Sequence, residues 1–292
     1  MKIKEALIWA KKELKHKKIE SWMLEAEIIL AYIVKDTKEY LYAHPEDELN
    51  KKQEAGFRKL IQKRLTGWPT PYLIKHREFF GLNLFVNQKV LIPRQATESI
   101  IEYILENYRL DTNSKILEIG TGSGCIIVTL GKLFPVAKIT AVDISKSALK
   151  IAELNAKNNV VRNIKFRQSN LFNKIKGRFD IIIANLPYLS PAKSKTIKYE
   201  PVVALNGGKQ GLEIIKRFLF QAPNFLTPKG KIIIEISPTQ KNALIKFIKK
   251  QLTDYHFNIE IRKDLSIKDR LVIITASQLK LGRPTSPELS PR

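Results

Sequence analysis

The sequence predicts an α/β chain. A doubly wound, mostly parallel sheet carries an antiparallel strand pair at its C-terminal end, and a small helical domain and a β-hairpin linker precede it. Three observations predict this. Apolar residues keep helical spacing through residues 1–66. From Lys115 onward, strand and helix patterns alternate with short connections. The last two strand patterns, near 257–262 and 270–275, follow each other too closely for a crossover, so they pair antiparallel. The expected divisions are a helical recognition domain over 1–70, a hairpin linker over 71–92, the catalytic domain over 93–276 and a disordered tail over 277–292, where Pro and Ser dominate.

In the first 66 residues, Ala6, Leu7, Ala10 and Leu14 mark one helix. Ser21 is placed to cap a second, which carries Trp22, Leu24, Ile28, Ala31 and Val34 on more than one face. Asn50, with Gln53 three residues on, starts a third, whose Phe57, Leu60, Ile61 and Leu65 share a side. Lys51, Lys52, Arg58, Lys59, Lys63 and Arg64 give that helix a basic exterior, and Gly67 ends it. Glu78-Phe79-Phe80 and Leu84-Phe85-Val86 then flank Gly81-Leu82-Asn83 as a hairpin. A helix near Thr97 packs through Ile100, Ile101, Ile104 and Tyr108.

The first strand of the sheet is Ile116-Leu117-Glu118-Ile119, followed by Gly120-Thr121-Gly122-Ser123-Gly124 and a helix from Ile126. Glycines let backbone approach a ligand and take positive φ. A dinucleotide fingerprint needs glycine where Cys125 stands, so the loop suits a nucleoside ligand without a pyrophosphate. The second strand, Lys138 to Val142, ends in Asp143, a carboxylate able to accept both ribose hydroxyls. A helix N-cap at Asp143 stays open as the other reading. The third strand, Ile164 to Gln168, leads to Asn170, a partner for an adenine amino group, and Leu171, a cover for its ring.

The fourth strand carries the chemistry. Ile181, Ile182 and Ile183 form an unbroken β-branched run, the mark of a strand buried on both faces. It stops at Asn185-Leu186-Pro187-Tyr188, a loop at the sheet's C-terminal edge, where α/β folds bind ligands. The Asn185 side-chain carbonyl and the Leu186 backbone carbonyl can accept the two hydrogens of a planar NH₂ group, and Tyr188 offers a face for stacking. A plain Asn-Pro turn after a strand stays open on these residues alone. Beyond it come a glycine-bearing loop from Glu200-Pro201 to Gly211, a helix at about 212–226, a strand from Lys231 to Ile236 and a helix near 239–251.

Composition narrows the function. The chain has 292 residues, one cysteine (Cys125) and a formal charge of +23. A lone cysteine excludes an internal disulfide and a cysteine-based zinc cluster, and suits a reducing cytoplasm. No apolar run reaches the roughly 18 residues that span a bilayer, and the start of the chain does not resemble a signal peptide. The charge suggests a polyanionic partner such as RNA or the ribosome, although it is spread along a lysine-rich chain without an aromatic-basic repeat.

The segment Glu118 to Gly124 with Asp143 resembles the S-adenosylmethionine site of Rossmann-like methyltransferases, and Asn185 to Tyr188 resembles the Asn-Pro-Pro-Tyr motif of enzymes that methylate planar nitrogens. Three features narrow the resemblance: the N-terminal helices, Leu91-Ile92-Pro93-Arg94 with Thr97-Glu98, and Glu200-Pro201, Ala204-Leu205, Gly207-Gly208 and Gly211-Leu212. Together, over residues 3 to 275, they resemble the peptide chain release factor glutamine-N(5) methyltransferases. The resemblance implies a cytoplasmic enzyme; a monomer without a metal site is the accompanying expectation. The enzyme would methylate the glutamine amide of the Gly-Gly-Gln motif in class I release factors, yielding S-adenosylhomocysteine. Gly120, Thr121, Gly122, Ser123 and Gly124 would surround the methionine part of the cofactor, Asp143 its ribose, and Asn170 and Leu171 its adenine, with Asn185 to Tyr188 holding the substrate amide and Asn185 also contacting the cofactor. Departures stand at Leu186, where the family has Pro, at Asn170, where it has Asp, and at Gln95-Ala96, where it has Pro-Asp. The loss of proline's fixed φ costs ~0.4–1 kcal/mol of pre-organisation. The rival expectations are an adenine amino-group methyltransferase acting on DNA or RNA, and a cofactor-binding protein that has lost catalysis.

Overall fold

The computed structural model describes residues 1–252 and 255–279. The N-terminal helices are α1 (Ile3–His16), α2 (Trp22–Val34), α3 (Lys38–Ala43), α4 (Lys51–Leu65) and α5 (Thr70–Ile74). Ile3, Leu14, Ile29, Leu30, Leu41, Phe57 and Ile61 meet in one fully buried cluster. Asn50 and Gln53 form the expected capping box at the start of α4. Ser21 precedes α2 but makes no side-chain cap bond. The short helices α3 and α5 escape the periodicity reading because neither spans two full turns. The basic exterior of α4 is weaker than expected. Arg58 pairs with Glu54 at 3.0 Å and covers the Trp9 ring, and Arg64 pairs with Glu25.

The hairpin is β1 (His76–Phe79) with β2 (Leu82–Phe85). Its turn is the pair Phe80-Gly81, both at positive φ, and not Gly81-Leu82-Asn83. A two-residue turn of that hand matches the strand twist, and Glu98 caps it by accepting the Phe80 N–H at 2.9 Å. Leu82 and Asn83 are strand residues.

The α/β unit that follows is α6 (Glu98–Asn107), β3 (Lys115–Ile119), α7 (Cys125–Leu133), β4 (Lys138–Asp143), α8 (Lys146–Asn158), β5 (Ile164–Gln168), β6 (Phe179–Ala184), α9 (Pro191–Thr196), α10 (Glu213–Gln221), β7 (Leu226–Glu235), α11 (Lys241–Gln251), β8 (Tyr255–Lys263) and β9 (Asp269–Leu279). The sheet order is β5-β4-β3-β6-β7-β9-β8. The first five strands run parallel, and β9 is antiparallel to both neighbours. The last strand therefore inserts between β7 and β8. Ile181, Ile182 and Ile183 are wholly buried because helices cover both faces of β6. Each such side chain contributes about 1.5–3 kcal/mol.

Several boundaries differ from expectation. Tyr108 lies in extended backbone just past α6. The helix expected to reach residue 226 stops at Gln221, and Pro223 lies in a 3-10 turn that follows. Strand β7 starts at Leu226, ahead of Lys231. Strand β9 runs to Leu279, so the expected tail does not start at Ser277; residues 280–292 lie outside the described residues. Among the described residues, no helix is long and apolar enough to cross a membrane.

Order reverses between β3 and β6. β3 leads to β4 on one side, while β6 continues the sheet on the other. Ile119 pairs with Ala184, so both strands end on one row and their loops emerge side by side. That crevice is where open α/β sheets bind ligands.

Candidate active site

A cavity of about 220 Å³ opens at this edge. Gly120, Thr121, Gly122 and Ser123 line it from the loop after β3, Asp143 and Ile144 from the end of β4, Asn170 and Leu171 from the end of β5, and Asn185, Leu186 and Pro187 from the end of β6. Sequence distance is cancelled by topology, because every parallel strand delivers its C-terminal residue to one edge.

The glycine loop is built for close approach. Gly120, Gly122 and Gly124 all have positive φ. A Cβ on Gly122 would project into open space, while one on Gly124 would lie 2.9 Å from the Ala152 Cβ. Gly124 therefore serves the packing of α7 on α8 and stands outside the cavity wall, unlike the other loop residues. The buried Asn155 side chain donates to the Ser123 carbonyl at 2.8 Å and bonds both backbone groups of Phe85. It ties loop, hairpin and α8 together. Nothing in the local pattern around Asn155 marks it, since its partners lie up to 70 residues away.

Asp143 is not a helix cap. Ser145 caps α8 by accepting the Ala148 N–H at 3.2 Å, and Asp143 accepts the Ser145 N–H at 2.8 Å. Its other oxygen accepts the Gly122 N–H at 2.8 Å. Burial holds the carboxyl above the usual range, against the pull of those N–H groups. A carboxylate has about four acceptor sites, so Asp143 keeps capacity for a ligand hydroxyl beyond these N–H bonds. Leu171 is buried at a positive φ that L-residues seldom adopt, which turns it onto the cavity beside the exposed Asn170.

Asn185 is held by two acceptors. Its Nδ2 donates to the Glu235 carboxylate at 3.0 Å and to the Thr97 hydroxyl at 3.3 Å. Both amide hydrogens are used, so Oδ1 is the atom left to accept. Leu186 is 4 % exposed and joins the core cluster under the sheet edge. Its side chain packs where a proline ring would hold less apolar surface. Tyr188 lies outside the residues that line this cavity. Its ring packs against the core cluster, and its carbonyl is held by Gln240 Nε2 at 2.9 Å.

Two further groups complete the walls, and of their residues only Lys89, Val90, Val203, Ile214 and Arg217 were not singled out in the sequence. Lys89, Val90, Leu91, Pro93, Arg94 and Thr97 form one side, and Val203, Ala204, Ile214 and Arg217 another. Buried Glu200 accepts the Ile92 N–H at 3.2 Å and pairs with Arg94, pinning the loop after α9 across the mouth. The adjacent Tyr199 lies 4.8 Å from Trp68 between ring centroids and donates its hydroxyl to the Thr66 carbonyl at 2.8 Å. The helical domain and the mouth of the cavity therefore share one segment. Glu118, 1 % exposed, accepts a bond from Thr121, and burial pushes its carboxyl up to about 8.

The chemistry available is acceptance of hydrogen bonds from a neutral NH₂ group beside a mainly apolar, nucleoside-sized recess with a carboxylate at its edge. Comparison with known proteins points the same way. The PrmC N-terminal domain family matches residues 5–74, and a family described as methyltransferase domain matches residues 110–279. A release factor glutamine methyltransferase of Koribacter versatilis is 39 % identical over 243 residues, covering 81 % of this chain and 86 % of that protein. One from Buchnera aphidicola is 36 % identical over 90 % of this chain and 96 % of its own. A bifunctional methyltransferase of Rickettsia felis is 32 % identical over 95 % of this chain, which spans only 58 % of that longer protein. Among solved structures, a methyltransferase from Pyrococcus furiosus superposes with a TM-score of 0.51 at 22 % identity, over 68 % of this chain and 91 % of that one.

Proposed function

Since the chain belongs to the release factor glutamine methyltransferase family, an S-adenosylmethionine-dependent one, we propose that it methylates the side-chain amide of the glutamine in the Gly-Gly-Gln motif of class I peptide chain release factors. The observation that carries this is the pose of Asn185. Its NH₂ is turned inward by two acceptors, and its carbonyl oxygen is left for a substrate amide at the edge of the cavity.

The cavity fits the cofactor by its chemistry. Asp143 matches a pair of ribose hydroxyls, Ile144 and Leu171 supply apolar walls for a flat base, and the missing Cβ of Gly122 leaves room beside the loop. When bound, S-adenosylmethionine supplies an electrophilic methyl group on a sulfonium and leaves as S-adenosylhomocysteine.

The residues of the chain do the aiming. An amide nitrogen is a poor nucleophile because its lone pair is delocalised. Asn185 Oδ1 and the Leu186 carbonyl accept its two hydrogens, hold the plane of the amide and favour sp³ character as the N–C bond forms. The level ends of β3 and β6 set donor and acceptor loops side by side, so positioning supplies most of the acceleration. No side chain needs to remove a proton first, because the nitrogen loses it to water after the transfer. Leu186 keeps its carbonyl in place of the family's proline, so the departure leaves the acceptor role intact.

Residues 1–70 serve as the recognition domain for the release factor, 71–92 as the linker, and the following domain as the catalyst. The deciding experiment incubates the protein and cofactor with a release factor and, separately, with DNA and RNA. Mass spectrometry should find one added methyl on the Gly-Gly-Gln glutamine and none on nucleic acid. Methylated adenine with an unmodified release factor would overturn the reading.

A further inference from the structure

We propose that Glu235 is a positioning residue for this reaction: its carboxylate, an acceptor in the ionised form, selects the one orientation of the Asn185 amide that faces its oxygen to the substrate. The inference rests on the functional reading above and adds a residue to it.

The two ends of an asparagine amide have nearly the same shape and opposite hydrogen-bonding character. A half-turn of the Asn185 amide would present NH₂ to the substrate's NH₂, donor against donor, at little steric cost. Something must tell the ends apart. Thr97 cannot do so alone, because a hydroxyl donates as readily as it accepts. Glu235 can. It is the last residue of β7, and Ala184 pairs with Ile234, so Glu235 and Asn185 are neighbours one step beyond the paired row. At 3.0 Å the contact is a hydrogen bond, charge-assisted when the carboxyl is ionised. Thr97 accepts the other Asn185 hydrogen at 3.3 Å, and its hydroxyl beside Glu235 draws that carboxyl down against its burial.

The cost of this arrangement argues for its use. Glu235 is 1 % exposed, and the two arginines whose charge reaches it are engaged elsewhere, Arg94 with Glu200 and Arg270 with Asp264. A buried carboxylate without an ion pair is expensive, whereas glutamine would fill the same space neutrally. Stability alone therefore does not account for a glutamate here.

The test is Glu235→Gln. Its kcat on the release factor should fall about ten- to a hundredfold, since a misaimed nucleophile costs rate and not affinity. Cofactor Kd and release-factor KM should stay within about threefold and the melting temperature should not drop, as expected of positioning and not of structural support. Asn185→Asp alone sets carboxylate against carboxylate and should be inactive. Adding Glu235→Gln to it reverses donor and acceptor, again leaves an oxygen toward the cavity, and should recover at least about tenfold of the lost rate. A signal independent of turnover is the side-chain NH₂ of Asn185 in NMR. Its hydrogens should exchange slowly in the wild type and faster in Glu235→Gln. Wild-type kcat in Glu235→Gln, no recovery in the double variant, or unchanged exchange would overturn the proposal. An inactive wild type would count against the substrate assignment instead, and the exchange measurement would still decide the role of Glu235.

Discussion

The Asp143 carboxylate receives the backbone N–H of Gly122 at 2.8 Å, which fastens the end of β4 to the glycine loop after β3. One side chain thus shapes the loop and offers its remaining lone pairs to the cavity. Two neighbouring strands are coupled at the place where the ligand would enter.

Replacing Asp143 with alanine removes both functions. Charge-assisted hydrogen bonds contribute about 1.5–3 kcal/mol each, so cofactor Kd should rise about ten- to a hundredfold or more. Isothermal titration calorimetry measures this directly, and unchanged affinity would place the ribose elsewhere.

Asn185→Ala deletes the oxygen that aims the substrate amide and leaves the walls around the glycine loop intact. Turnover on the release factor should fall at least about a hundredfold with cofactor Kd within a few-fold of wild type. Single-turnover methylation followed by mass spectrometry checks the rate, and a wild-type rate would sink the aiming mechanism.

Gly211→Ala should destabilise the loop over the site. Gly211 has φ +71°, and a Cβ there would collide with the Tyr188 carbonyl, which is backbone and cannot swing aside. The αL penalty for an L-residue is about 1–2 kcal/mol before that collision. Urea unfolding should show a loss of at least that size, with activity falling as the Asn185-to-Tyr188 segment shifts.

Glu118 gives a pH signature. Its folded value, about 8, lies above the ordinary carboxyl value of 4.5 because burial disfavours its charge. The folded state then binds more protons than the unfolded state between those two values. The contribution to stability is fully present below pH 4.5 and is lost as pH rises through about 8. Burial shifts Asp143 and Glu235 in the same direction. Unfolding free energies of wild type and Glu118→Gln, compared at pH 5 and pH 8, should diverge by on the order of a few kcal/mol, with the wild type losing ground at the higher pH.

The parallel sheet was legible because each strand carries its own signal. The triple isoleucine of β6 and the glycine loop after β3 need no partner to be recognised, and neither does the aspartate that ends β4. The insertion of β9 between β7 and β8 was not legible, since an antiparallel pair reads the same whichever strand lies outermost. The hairpin turn was misplaced because Phe80 at positive φ contradicts the preference of its own type, and Glu98 from another element sustains it. Within the site, Asn185 could be read from its motif, whereas Glu235 could not. A carboxylate at the end of a strand looks like any other until β7 is laid beside β6. The stacking face of Tyr188 could be read from its ring, whereas its packing against the core cluster depends on distant segments that the motif does not show.

The shared last row of β3 and β6, Ile119 beside Ala184, also limits how this chain can vary. Lengthening either strand by one residue would slide one loop past the other by about 3.3 Å and exchange its inward and outward side chains. Methyl donor and amide would then face away from each other although every residue of both motifs was still present. Insertions are tolerable in the surface connections, while these two strands must keep a common count, as two rulers cut to the same mark.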